Sequence, residues 1–90
     1  MSISMEIASV FRRYTGDNSK IEVSGNNIGE ILNDLKSQYP EAGKVFLDHE
    51  GNLHQSYDIF INGESIFPLK NTTPVKDGDK LTLIMIINGG

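Results

Sequence analysis

SGNNIGEILNDLKSQYP, residues 24–40, is the stretch with the clearest helical period in the chain. Ile28, Ile31, Leu32, Leu35 and Tyr39 recur at i, i+3, i+4, i+7 and i+11, which makes one apolar stripe along a helix. Ser24-Gly25-Asn26-Asn27 supplies capping side chains in front of it. Pro40 closes it, because a proline disfavours helical angles in the residue before it. Glu30, Asn33, Asp34, Lys36 and Ser37 take the other side. Glu30 and Asp34 stand four apart, but they read as solvated helix surface and not as a carboxylate pair for metal or acid–base chemistry. A helix with one apolar face must bury it against another element.

The flanks supply strands. Ile3, Met5 and Ile7 alternate with polar or small residues, the period of a strand with one buried face. Val10 and Phe11 break that alternation and predict a bulge or bend near Ser9. Residues 14–18 carry turn chemistry, and Lys20 to Val23 reads as the returning strand of a hairpin. After Pro40, residues 45–47 predict a short helical turn beneath the domain. Tyr57, Ile59 and Ile61 alternate with Asp58 and Phe60 in a third strand, and Asn62-Gly63 is a strong hairpin-turn signal before a brief strand at residues 65–67. Residues 68–74 read as loop, and Lys76-Asp77-Gly78-Asp79 is a tight turn that launches the last strand, Leu81 to Ile87. This order predicts a two-layer α+β domain with a mixed sheet of four to five strands and one main helix across it. One arrangement sets the first and last strands parallel and adjacent in the middle, the β-grasp of ubiquitin-like domains.

Ninety residues make one domain, which buries about 60–65% of its unfolded surface, enough for a small core but not for an enclosed cleft with a lid. Hydrophobic residues at 38% and charged residues at 22% exclude intrinsic disorder. No apolar run is long enough to span a membrane, and the N-terminus lacks the basic start and apolar block of a signal peptide. Cysteine is absent, which excludes disulfides, thiolate metal sites and a catalytic thiol, and makes the cytoplasm the expected compartment. A net charge of −4 opposes nucleic-acid binding, and Arg12-Arg13 is too small a basic patch to reverse that. Asp48-His49-Glu50 and His54 place two imidazoles beside two carboxylates. Gly51-Asn52 makes that segment a turn, so exposed loop histidines are expected and no metal site.

The sequence ends in Gly89-Gly90 directly after its most apolar run. The expectation is a domain over residues 1–87 and a tail over 88–90 that reaches roughly 10 Å beyond it. Glycine has no Cβ, so such a tail passes through a narrow channel closed to other residues. A terminal carboxylate is ionised near neutral pH and available as an oxygen nucleophile.

Several of these features, in this order, resemble the prokaryotic ubiquitin-like sulfur carriers. They are the opening strand, Gly25-Asn26-Asn27-Ile28 before a helix with Ile31, Leu32 and Leu35, Leu53-His54, Ile59-Phe60-Ile61-Asn62-Gly63-Glu64, Lys76-Asp77-Gly78-Asp79, and the terminal Gly89-Gly90. That group includes the small subunit of molybdopterin synthase, the thiamine-pathway carrier and, most similar here, the carrier of one cysteine-biosynthesis route. The resemblance implies a chemistry supplied by partners. A ubiquitin-activating-type adenylyltransferase uses ATP to adenylate Gly90, and Gly89 gives that enzyme access. A desulfurase or rhodanese-type donor then converts the acyl-adenylate to a thiocarboxylate. An acceptor, the large subunit of molybdopterin synthase or a PLP-dependent cysteine synthase, takes the sulfur. The chain itself is then a carrier and not an enzyme, with no bound cofactor; it has no phosphate-binding loop and no cysteine nucleophile.

Related carriers often have a proline shortly before Gly-Gly. Met85 stands there in this chain, so the strand is expected to continue and to shorten the tail to residues 88–90. With Leu81, Leu83 and Met85 facing the helix, Thr82, Ile84 and Ile86 face outward, and Phe60 joins them from the neighbouring strand. Phe60, Ile84, Ile86, Ile87 and Asn88 are therefore the expected partner-binding residues. The alternative for Phe60 and Ile84 is cover by the 68–74 loop or by a like subunit. Two other functions fit the same pattern: a ubiquitin-like modifier joined through Gly90 to lysines, and a β-grasp binding module with an inert terminus.

Overall fold

The computed structural model describes residues 3–66 and 68–86. β1 (Ile3–Ile7) and β2 (Lys20–Val23) pair antiparallel, with Met5 opposite Ile21. β3 (Tyr57–Ile61), β4 (Glu64–Ser65) and β5 (Lys80–Met85) complete a five-stranded sheet in the order β2-β1-β5-β3-β4. β5 runs parallel to β1 and antiparallel to β3, so the last strand occupies the middle of the sheet. With α1 (Ile28–Gln38) and α2 (Pro40–Phe46) packed on one face, this is the β-grasp arrangement.

The alternation read from the sequence explains the core. Ile3, Met5 and Ile7 of β1, Ile21 and Val23 of β2, Ile59 of β3 and Leu81 and Leu83 of β5 all point to the inner face and are buried. The α1 stripe of Ile28, Ile31, Leu32 and Leu35 closes over them in the same cluster. Each such side chain contributes about 1.5–3 kcal/mol on leaving water.

The helix start is a reciprocal cap. Asn27 Oδ1 accepts from the Glu30 amide at 2.8 Å, and Glu30 Oε1 accepts from the Asn26 amide at 2.9 Å. Asp34 Oδ2 accepts from the Ser24 amide at 2.9 Å and from Gln38 Nε2 at 2.7 Å, while the same Gln38 nitrogen donates to the Glu22 carbonyl at 2.8 Å. Glu30 and Asp34 stay on the solvent side of α1, as the sequence reading had them, but each also satisfies a backbone amide, and Asp34 with Gln38 ties α1 to the outer edge of β2. Gly25 is required by close approach: a Cβ there would lie 2.7 Å from Glu30 Cβ and 2.9 Å from the Ile31 nitrogen.

Outside the last strand, the structure refines or departs from the sequence expectation in three places. The break near Ser9 is the bend and not the bulge: a 3₁₀ helix, Ser9–Thr15, carries Phe11 back to the core and ends at Gly16 and Asp17, both left-handed. The helical turn near residue 45 is a full second helix, because Pro40 both stops α1 and occupies the first turn of α2, where its missing N–H costs nothing. The fourth strand is Glu64–Ser65, immediately after the turn at Asn62 (φ 54°) and Gly63 (φ 82°), instead of residues 65–67; Phe67 lies outside the described residues.

Phe46 is the hub of the second half of the core. It is fully buried, with edge-on contacts to Phe11 at 5.2 Å, Tyr57 at 5.0 Å and Tyr14 at 6.1 Å between ring centroids. Phe46→Ala is expected to cost about 3–5 kcal/mol, a large share of a small domain's stability. Urea unfolding checks this; a loss below about 1 kcal/mol contradicts the packing described.

Candidate functional site

Of the expected site residues, Phe60, Ile84 and Ile86 are described, on β3 and toward the end of β5. β5 is held in register by a knot that joins two motifs distant in sequence. Asn62 donates its amide to the Lys80 carbonyl at 2.7 Å and accepts from the Lys80 amide through Oδ1 at 3.0 Å. Asn62 Nδ2 also donates to Asp79 Oδ1 at 3.0 Å, and Asp79 Oδ2 accepts from the Lys76 amide at 2.9 Å. The Asn62-Gly63 hairpin and the Lys76–Asp79 turn are therefore one hydrogen-bonded unit at the start of β5. Asp79 is buried, and its carboxyl is held below the usual carboxylate range. The Lys76 backbone hydrogen bond is the main cause, opposed by burial and aided by Asn62 and the Lys76 charge.

From this anchor β5 runs to the opposite end of the sheet. Leu81 and Leu83 are buried beneath the helices, while Thr82 and Ile84 lie half-buried on the outer face. Phe60 sits opposite Thr82 and Asp58 opposite Ile84, so Phe60 and Ile84 are diagonal neighbours on that face, within reach of a phenyl ring. Both are half-buried and not fully exposed. The 68–74 loop packs elsewhere: the Ile28 amide donates to the Thr73 carbonyl and the Gly29 amide to the Asn71 carbonyl, both at 2.9 Å, which fixes the loop at the start of α1.

Met85 departs from the expected inward orientation and is 49% exposed. It lies opposite Tyr57 at the end of the sheet, where β1 has already stopped at Ile7. β5 itself ends at Met85 and not at Ile87, although the Ile86 amide still donates to the Ser56 carbonyl at 2.8 Å. Ile86 is exposed and borders a groove of about 460 Å³ walled by Leu53, His54, Tyr57 and Leu69, which places the Leu53-His54 motif beside the end of the last strand. Ile87, Asn88, Gly89 and Gly90 lie outside the described residues.

The loop histidines are exposed. His54 Nδ1 accepts from the Ser56 amide at 3.1 Å, and Asp48 Oδ1 accepts from the Glu50 and Asn52 amides, so both side chains shape their own turn. Among the described residues no group of three or more His, Asp or Glu is placed to hold a metal ion, and no helix is long and apolar enough to cross a membrane.

A model of the ThiS family matches residues 6–90. The chain belongs to the ThiS family. This ThiS-family chain is 28% identical to the sulfur carrier protein CysO of Mycobacterium tuberculosis over 93 aligned residues that cover both proteins completely. It is 38% identical over 73 residues to ubiquitin-related modifier 1 of Encephalitozoon cuniculi, which covers 77% of this chain and 76% of that one. Its fold is similar to a chain in the crystal structure of the Amycolatopsis orientalis BexX/CysO complex, with a TM-score of 0.82, 30% identity, and coverage of 98% and 99% of the two chains.

The Asn62–Asp79 knot makes a pH prediction. A carboxyl whose folded pKa is depressed adds stability that is complete above the unfolded value, about 4, and is lost as pH falls through the lower folded value. Asp79→Asn is expected to lower stability at neutral pH by roughly 1–3 kcal/mol and to flatten the acid side of the stability–pH curve. Urea midpoints measured from pH 7 to pH 2 check it, and an unchanged slope below pH 4 contradicts the role given to Asp79.

Proposed function

We propose that this chain is a sulfur carrier of the ThiS and CysO type, loaded at Gly90. The observation that carries the proposal is the family match that runs through residue 90, together with a β5 strand fixed in the centre of the sheet and directed toward that end. In this reading the Gly90 carboxylate attacks the α-phosphorus of ATP within a ubiquitin-activating-type adenylyltransferase, and pyrophosphate leaves. The acyl-adenylate converts a poor electrophile into a good one. With hydrosulfide as nucleophile, the carbon–sulfur bond forms as the carbon–oxygen bond to AMP breaks; AMP leaves with the electron pair and the thiol proton goes to solvent. A persulfide donor of the desulfurase or rhodanese type needs, in addition, a thiol to cleave the acyl disulfide. The thiocarboxylate then passes its sulfur to an acceptor enzyme, a PLP-dependent cysteine synthase or the large subunit of a molybdopterin synthase.

The protein's own contribution is mechanical and steric. Gly89 and Gly90 have no side chains to clash with an enclosing pocket, and Phe60, Ile84 and Ile86 give the adenylyltransferase an apolar surface to hold. Ile87 and Asn88 connect that surface to the reacting end. A second reading has a specific observation behind it: the 38% identity to a ubiquitin-related modifier supports conjugation of Gly90 to lysines of other proteins.

Intact-mass measurement after incubation with an adenylyltransferase, ATP and sulfide separates the two. The carrier reading expects one carboxyl oxygen replaced by sulfur. A terminus that stays unmodified contradicts it, and Gly-Gly remnants on lysines of other proteins, without sulfur exchange, favour the modifier. Phe60→Asp is expected to slow charging by about tenfold or more while the domain stays folded by circular dichroism; charging at the unaltered rate removes this face from the account.

A further inference from the structure

β1 and β5 run side by side only as far as Ile7 and Leu83. Beyond Ile7 the chain turns away into the 3₁₀ helix, Ser9–Thr15, and leaves the last part of β5 without a strand on that side. The space is a groove of about 610 Å³. Val10 and Arg12 form one wall, and Leu83, Ile84 and Met85 form the other. Its two large apolar side chains are open to solvent, Val10 at 65% and Met85 at 49%.

The main chain along this groove is unfilled as well. The residues of β5 that bond to β3 alternate: Lys80 bonds with Asn62, and the Ile86 amide bonds with the Ser56 carbonyl. The intervening residues turn their N–H and C=O groups the other way, toward β1. For Leu81 and Leu83 a strand is present there; for Met85 none is, and among the described residues its amide has no partner. An unpaired strand edge is a template for an extended peptide. The Ala8 carbonyl, next in line after β1, is turned into the 3₁₀ helix, where it accepts from the Phe11 amide at 2.9 Å.

Arg12 adds a charge requirement. Its Nε donates to the Ile7 carbonyl at 3.1 Å, which fixes the guanidinium at the mouth of the groove, and among the described residues its two terminal nitrogens have no acceptor. A fork anchored in this way suits a carboxylate and is pre-organised for it. The other cation lining the groove, Lys20, stands opposite Glu6 in the β1–β2 register.

We propose that the lane vacated by β1 is a strand-addition site for a protein partner: an extended segment lies along β5, bonds to the Met85 main chain, covers Val10 and Met85 with apolar side chains, and presents one Asp or Glu to Arg12. This rests on the carrier reading only in taking the adenylyltransferase as that partner. It places the hold on β5 immediately before the residues that lead to Gly90, so docking and alignment of the reacting end are one event. It also gives a role to the exposure of Met85, which the outer-face surface of Phe60 and Ile84 does not explain.

The test uses the full chain, isotope-labelled, with the adenylyltransferase of the charging assay and no ATP. On binding, the Met85 amide resonance is expected to shift downfield and lose its rapid exchange with solvent. Arg12→Glu is expected to weaken binding by at least about tenfold and to raise KM for the carrier with little change in kcat, while Arg12→Gln, which keeps the Nε donor, loses less. Equal binding of wild type and Arg12→Glu, or a Met85 amide still in rapid exchange in the complex, overturns the proposal. Mass measurement of Gly90 is read separately: an enzyme that docks in this lane but never charges Gly90 contradicts the carrier reading and leaves the lane intact.

Discussion

The parallel pairing of β1 with β5, Met5 opposite Leu81 and Ile7 opposite Leu83, joins the two ends of the sequence in the middle of the sheet. Its inner face is covered by α1, so Met5, Leu81 and Leu83 are removed from water together with the helix stripe. Everything else is arranged around that pair. β2 flanks one side, with its free edge engaged by Asp34 and Gln38 of α1. β3 flanks the other, its far turn knotted to the start of β5 through Asn62 and Asp79. A strand held from both sides and capped at its origin is a rigid base for whatever follows it. In the proposed reading such a base serves the end that is loaded, because alignment by a partner is worth most when the piece being aligned does not bend.

Period-two and helical patterns were readable wherever one face met the core. β1, β2, β3 and α1 follow from the spacing of Ile, Val, Leu and Met, since burial on one side forces that spacing. The 3₁₀ helix was not readable in this way: the seven residues that return Phe11, Tyr14 and Thr15 to the core are too few to display a period. Met85 misled for the opposite reason. The strand pattern continues through it, but the layer that would cover it has ended, and only the point where β1 stops reveals that. The roles of Glu30 and Asp34 were hidden because a side chain that bonds a backbone amide has the same composition as one that faces water. The Asn62–Asp79 knot had a trace in the sequence, two turn motifs, but nothing local states that they meet.

For the candidate site, the outer-face positions of Phe60 and Ile84 followed from alternation once the strand order was known. The groove beside Met85 did not, because it is defined by the absence of a neighbouring strand. The two surfaces meet at Ile84, near the same strand end. In the proposed reading the chain contributes position and shape, and the chemistry of activation falls to a partner, because this sequence has neither thiol nor phosphate-binding loop.

Native-state hydrogen exchange tests the central claim most directly, namely that the last strand is the most firmly held element of the sheet. The account predicts that the Leu81 and Leu83 amides open only with global unfolding and are slower than the amides of β2. Exchange of Leu81 and Leu83 ahead of those of β2 contradicts it, since the end of the chain would then hang from a mobile strand.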